Sequence, residues 1–170
     1  MGAWRIDLVT RGGVEVRVPG ASLARQVQHA LQASGAPEPG SVTLVFTNDE
    51  ELEELNLEHM GALGPTDVLS FPMLPPEAFP RRERTPARRS APSKQPRTHL
   101  GDIAISVERA IDQAEQGRGG QTGDVRWSAV DELRLLVTHG TLHLCGWDHA
   151  EPADEAAMRA LETRLLASRA

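Results

Sequence analysis

Three of the six histidines in this chain fall within eleven residues, and their spacing constrains the local fold more than any other feature. His139 and His143 are four positions apart, so on a helix they lie on one face about one turn from each other. Gly146 then ends the helix and lets the chain turn, so that His149 can supply a third imidazole. Three neutral imidazoles with an open position are typical of a catalytic zinc site. The alternative is three surface or core histidines that hold no metal.

The spacing H-x3-H-x2-G-x2-H is also the ligand spacing of the metzincin proteases, HExxHxxGxxH. Gly140 stands where those proteases carry the glutamate that acts as general base. The sequence therefore predicts a hydrolase-like metal centre without the peptidase base. Asp148, beside His149, is the nearest carboxylate. It could orient a ligand imidazole, accept a proton or simply stabilise the turn after the helix.

The composition, with 39% hydrophobic and 25% charged residues over 170 positions, is that of one ordinary globular domain. No stretch approaches the roughly 20 apolar residues of a membrane helix, and the first seven residues predict no secretory signal. Cys145 is the only cysteine, which excludes an intramolecular disulfide and favours a reducing, cytoplasmic location. Because Cys145 follows His143 by only two positions, we expect a buried thiol that faces away from the imidazoles.

The charge distribution separates one basic segment from an acidic body. The net charge of −6 argues against a protein that coats nucleic acid by bulk charge. Between Pro80 and Thr98, however, seven basic residues and one acidic residue give +6, which leaves −12 on the rest of the chain. Such a strip can attract phosphates locally, or it can be a solvated, disordered loop. The candidate substrate-binding residues within it are Arg81, Arg82, Arg88 and Arg89.

The pattern of apolar residues and breakers predicts interspersed helices and strands. Two alternating runs, residues 4–9 and 14–18, flank Arg11-Gly12-Gly13 and predict a β-hairpin. Ser22 and Asn48 are expected to cap the first two helices. Further strands are predicted at residues 41–46, 68–73 and 100–106, and further helices at 107–116, 128–144 and 154–167. The result is one α+β domain over residues 1–170, with a flexible basic loop at about 74–98.

Three sequence blocks resemble one known family. Residues 138–149, THGTLHLCGWDH, resemble the HGxLHLxGxDH signature of the YbeY family of bacterial endoribonucleases. A second block, with Asn48 to Leu52, Leu55-Asn56 and then PTDVLSFP at residues 65–72, is similar to the other long motif of that family. A third block, LGDIAIS at residues 100–106, matches as well. The blocks occur in the family's order and extend the resemblance over nearly the whole chain.

The resemblance implies a zincin-like α+β fold, with a small mixed β-sheet packed against helices and the metal site on a long helix. It implies one Zn²⁺ per chain, held by His139, His143 and His149, and we take His139 and Asp148 as the candidate catalytic residues. It implies a single-strand-specific endoribonuclease that acts in ribosomal RNA maturation, notably at the 3′ end of the small-subunit RNA, and in ribosome quality control. The implied partners are RNA, ribosomal proteins and a ribosome-assembly GTPase in the cytoplasm, and no membrane.

One departure from the family pattern keeps other functions open. Many members carry an arginine shortly before the PTD block, and Met60 occupies that position here. A thioether cannot stabilise the charge of a phosphorane, although the neighbouring His59 could contribute if protonated. The alternatives to RNA cleavage are a non-catalytic, zinc-containing ribosome-assembly factor and a metal-dependent peptidase or amidase. Gly140 opposes the peptidase, and the basic segment favours RNA.

Overall fold

The computed structural model of the protein describes residues 3–80, 96–116 and 127–168. In these ranges, four strands and five α-helices follow one another along the chain. They are β1 (Trp4–Thr10), α1 (Gly20–Ala33), β2 (Gly40–Thr47), α2 (Asp49–Met60), β3 (Val68–Pro72), β4 (Thr98–Ser106), α3 (Val107–Glu115), α4 (Ala129–Leu144) and α5 (Pro152–Ala167). None of the helices so described is long and apolar enough to cross a membrane.

The four strands form one mixed sheet in the order β1-β2-β4-β3. The strands β1, β2 and β4 run parallel, and β3 pairs antiparallel with β4 along one edge. The expected α+β architecture, a small mixed sheet packed against helices, is confirmed.

The two faces of the sheet pack against different helices. On one face, Val42, Leu44 and Ile103 belong to the main core, which also contains buried side chains of α1, α4 and α5. On the other face, Val45 and Ala104 form a smaller cluster that includes a leucine of α2. This alternation follows the two-residue period of a strand. The helix α4 packs directly against the sheet, beside the edge strand β3.

The predicted N-terminal hairpin is wrong. The strand β1 pairs in parallel with β2 over seven residue pairs, and Arg11 continues this pairing by donating its backbone N–H to the Phe46 carbonyl at 2.9 Å. The turn at Gly12-Gly13 is present, but residues 14–18 form no strand after it. Their valines instead pack against the main core, and Val18 is buried. Burial on the core therefore accounts for the alternating pattern that suggested a second strand.

The helix starts follow the predicted capping residues in part. The Asn48 side chain accepts a hydrogen bond from the Glu51 backbone N–H at 2.9 Å and caps α2, as predicted. Ser128 caps α4 in a reciprocal capping box with Asp131. Ser22 caps nothing, because α1 already begins at Gly20 after Pro19 and encloses Ser22 in its first turn.

Candidate metal centre

The helix α4 supplies two of the three clustered imidazoles. His139 and His143 are one turn apart on the face of α4 that is only partly buried, while the helix buries leucines such as Leu136 and Leu142. The i,i+4 spacing therefore brings the two rings together, with centroids 4.5 Å apart. Both side chains stand on a packed helix, which limits the positions that they can adopt.

Gly140, between these histidines, faces the sheet instead of the imidazoles. A Cβ atom at Gly140 would lie 2.7 Å from Ile103 Cγ2 and 2.9 Å from Val68 Cγ2. The Ser70 hydroxyl on β3 donates to the Gly140 carbonyl at 2.7 Å, which fixes the helix on the edge strand. The metzincin signature has its general base at this position. In this protein the same position packs so closely against the sheet that it leaves no room for a side chain.

The turn after α4 returns the chain to the site. Gly146 has a φ of 81°, a left-handed conformation that side chains other than glycine rarely adopt. The next residue, Trp147, is buried, and its indole N–H donates at 3.2 Å to the hydroxyl of Ser34, the C-terminal cap of α1. This anchor holds the turn against the core, so that His149 lies beside the helix. Its ring centroid is 5.0 Å from that of His143 and 6.2 Å from that of His139.

The three imidazoles converge on one point. One ring nitrogen of each of His139, His143 and His149 lies within 4.8 Å of the others. In the part of the chain that the structure describes, no other group of three histidine, cysteine or acidic residues is arranged in this way. The sequence prediction that these histidines lie together agrees with this geometry.

Hydrogen bonds at the outer nitrogens set the orientation of two rings. His139 Nδ1 lies 2.9 Å from a carboxylate oxygen of Glu162 on α5, and His143 Nδ1 lies 2.9 Å from the Trp147 carbonyl oxygen. Both partners are acceptors, so each Nδ1 carries a proton, and in a neutral ring the Nε2 then presents a lone pair. The two Nε2 atoms are 3.0 Å apart. Lone pairs that face each other at this distance repel unless a cation or a proton lies between them.

Burial favours the neutral form of His143. Its pKa is lowered from 6.5, first because burial penalises the imidazolium and second because His139 is close. A neutral imidazole is the form that binds a metal ion. Two nitrogens bound to one tetrahedral zinc ion at about 2.0–2.1 Å lie roughly 3.3–3.4 Å apart, near the observed Nε2 separation. The donor set therefore suits Zn²⁺ in its chemistry, and the His139–His143 pair is close to the spacing of two zinc ligands.

Glu162 is the residue of this site that the sequence did not reveal. Its carboxylate is only 18% exposed and binds the outer nitrogen of His139, an arrangement that fixes the ring of a metal ligand. The sequence feature that could have pointed to Glu162 is its place between Leu161 and Leu165, both of which are buried on α5. Asp148, the predicted candidate for this orienting task, is exposed, and its carboxylate accepts the backbone N–H of His149 at 2.7 Å. That contact stabilises the turn.

The remaining predicted residues lie elsewhere. Cys145 is buried, as expected, and burial raises the pKa of its thiol to about 12. Met60 is half exposed at the end of α2, and the neighbouring His59 ring packs edge-on against Phe71, with centroids 5.1 Å apart. Phe71 belongs to the face of the sheet that carries α2, opposite α4.

The predicted substrate-binding residues Arg81, Arg82, Arg88 and Arg89 fall outside the described residues.

Comparisons with known proteins agree on one family. The family model described as Endoribonuclease YbeY matches residues 14–170. Curated proteins named Endoribonuclease YbeY include one from Salinispora tropica, 36% identical over 96% of this chain and 94% of the relative. Another, from Thermobifida fusca, is 39% identical over 95% of this chain and 92% of the relative.

The fold is similar to a solved structure as well. The solution structure of TM1509 from Thermotoga maritima superposes with a TM-score of 0.54 and 21% sequence identity. The match covers 95% of this chain and 87% of that chain, so the similarity of fold extends over nearly the whole molecule. The family match over residues 14–170 and the curated relatives establish that the chain belongs to the YbeY family of endoribonucleases.

Proposed function

We propose that this protein is a zinc-dependent endoribonuclease that cleaves single-stranded RNA. The observation that carries the proposal is the convergence of three imidazoles on one point in a chain of the YbeY family. His139, His143 and His149 hold one Zn²⁺ per chain in this proposal. Zinc in such a site supplies Lewis acidity toward a phosphoryl oxygen of the RNA backbone.

Other residues of the protein orient the metal ligands, accept a proton and contact the RNA. Glu162 and the Trp147 carbonyl hold the imidazoles of His139 and His143 in position through the outer nitrogens. Asp148 is exposed next to His149, where it can accept a proton from the attacking group. The arginines Arg81, Arg82, Arg88 and Arg89 of the basic loop at about 74–98 contact phosphates of the RNA. The attacking group is water or the 2′-hydroxyl of the RNA itself.

The biological setting follows from the family resemblance. We place the enzyme in the cytoplasm, in ribosomal RNA maturation at the 3′ end of the small-subunit RNA and in ribosome quality control. Ribosomal proteins and a ribosome-assembly GTPase are the proposed protein partners. One metallohydrolase domain over residues 1–170 carries all of these roles.

Paired measurements of metal content and RNA cleavage test the proposal. Wild-type protein is expected to bind about one zinc ion per chain and to cleave single-stranded RNA, whereas His143→Ala loses both properties. His29→Ala is the matched control, because His29 is a partly buried histidine on α1 and not one of the three clustered imidazoles. Full cleavage by metal-free His143→Ala protein would exclude a metal-dependent mechanism.

The product ends identify the attacking group. A 5′-phosphate on the downstream fragment indicates attack by water, and a 2′,3′-cyclic phosphate on the upstream fragment indicates attack by the 2′-hydroxyl. End-labelled oligonucleotides resolve the two cases on one gel. Either result is compatible with the proposed site.

Met60 supports a second candidate, a non-catalytic zinc-containing assembly factor. A thioether at the family's arginine position leaves the described part of the protein without that positive charge near the phosphate. This candidate predicts that a zinc-ligand variant loses fold stability to the same degree as function. A ligand variant that folds normally, binds pre-ribosomes and still fails in RNA processing would rule it out.

A further inference from the structure

A cleft of about 410 Å³ adjoins the clustered imidazoles. It lies between α4 and α5 and is bordered by His139 and His149 at the end where the three histidines converge. Its volume falls in the range of small-molecule sites in proteins, about 300–1,000 Å³. The cleft is therefore continuous with the proposed zinc site and large enough for one chemical group of the substrate.

The lining of this cleft is apolar within and polar at the rim. Leu135 and Met158 are buried side chains, and the indole of Trp127 also lines the cleft. The indole N–H donates to the Glu132 carboxylate at 2.6 Å, which fixes the ring at the start of α4. Arg159 and Thr163 lie at the exposed rim on α5. A fixed aromatic ring with aliphatic neighbours is the kind of surface on which a nucleic-acid base stacks.

The charges of the lining favour a neutral group in the cleft over a second phosphate of the RNA. Two carboxylates, those of Glu155 and Glu162, belong to it. Glu155 pairs with Arg159 at 2.8 Å, so the arginine of the lining already has an anionic partner, and Glu162 accepts a hydrogen bond from His139 at 2.9 Å. A phosphate inside the cleft would meet these carboxylates, whereas a flat, neutral ring would not. The cleft thus suits a base better than the RNA backbone.

We infer that this cleft binds one unstacked nucleobase of the RNA next to the phosphate that is cleaved. The inference rests on the proposed function, because it assumes that the scissile phosphate lies at the imidazoles. A base in a duplex is stacked and paired and cannot enter a cleft in the protein unless it is first extruded. The cleft therefore gives a physical origin for cleavage of single strands.

A blocking variant tests the inference in the zinc-loaded enzyme. Thr163→Phe places a ring at the mouth of the cleft from an exposed position, and Arg164→Phe places the same ring on the neighbouring exposed position outside it. Stacking contributes about 1–3 kcal/mol per base, so blocking it is expected to raise KM for single-stranded RNA about 5- to 150-fold. Arg164→Phe is expected to leave KM unchanged. Equal KM values for both variants and the wild type would overturn the inference while the proposed function stands.

Fluorescence tests base binding separately from cleavage. Trp4 and Trp147 are buried, so we expect a bound base to quench mainly Trp127. Adenosine 5′-monophosphate should quench wild-type emission, ribose 5-phosphate should not, and Trp127→Phe should abolish the effect. Equal quenching by the two compounds would show that the sugar phosphate alone accounts for binding, and would overturn the inference. If the wild type cleaves no RNA but base-dependent quenching persists, the proposed function fails and the base site remains.

Discussion

The contact between Glu162 and His139 makes a quantitative prediction about metal affinity. Glu162→Ala removes the carboxylate that lies 2.9 Å from His139 Nδ1 and leaves that nitrogen without this acceptor. Loss of such an outer partner typically weakens metal binding 10- to 100-fold, which corresponds to about 1.4–2.7 kcal/mol. The Glu162 side chain is mostly buried, so water replaces the lost acceptor poorly. We therefore expect the zinc affinity to fall within this range.

The variant Glu162→Gln separates charge from position. Its amide oxygen can still accept the imidazole N–H, but the hydrogen bond loses its charge assistance, a difference of about 1 kcal/mol. We expect a loss of zinc affinity of about five-fold, smaller than that of Glu162→Ala. Glu155→Ala is the matched control, because Glu155 is on the same helix and pairs with the exposed Arg159 instead of a histidine.

Competition with a chromophoric chelator measures zinc affinity for the four proteins under one set of conditions. Urea unfolding of each metal-free protein shows whether a lower affinity follows from a damaged fold. If Glu162→Ala binds zinc as tightly as the wild type and Glu155→Ala, then the hydrogen bond does not orient a metal ligand, and the reasoning is refuted. The same result would remove Glu162 from the proposed site.

Three further predictions concern stability and reactivity. Gly140→Ala should lower the free energy of unfolding by about 1–3 kcal/mol, measured by urea titration, because its Cβ would press on the sheet at 2.7 Å. Cys145 should react with iodoacetamide only in denaturant, as mass spectrometry would show, since it is buried and its pKa is raised to about 12. The folded state lowers the pKa of His143, so the unfolded chain binds the proton more tightly. Metal-free protein should accordingly lose stability as pH falls below about 6.5, a loss that urea midpoints would detect and that His143→Ala should reduce.

Local patterns predicted the parts of this molecule that depend on neighbours in sequence. The i,i+4 spacing of His139 and His143 and the turn at Gly146 are sufficient to place His149 near the helix, because a helix and a glycine turn have fixed geometries. The capping residue Asn48 also acts as predicted. The partner Glu162 was missed because it follows His139 by 23 positions, and only the packing of α5 on α4 brings the two together.

The prediction of an N-terminal hairpin was wrong for a related reason. An alternating pattern shows that one side of a segment is buried, but it does not show whether a strand or the core covers that side. Val18 is covered by the core, and β1 pairs with a strand that follows it only after the whole of α1. The cleft between α4 and α5 could not be predicted from the sequence either. Its lining comes from Trp127 before α4, from α4 itself, from His149 in the turn after α4 and from α5.

Gly140 connects the packing of α4 with the choice among the candidate functions. A peptidase of the metzincin type needs a glutamate at this position, with its carboxylate directed at the metal centre. Here the position points into the sheet, where even a methyl group would meet Ile103 and Val68 at less than 3 Å. A glutamate could be accommodated only if α4 moved away from β3, and that movement would break the hydrogen bond between Ser70 and the Gly140 carbonyl. The packing that holds His139 and His143 in place therefore also excludes the peptidase base, so this helix favours a reaction that needs no carboxylate at that position.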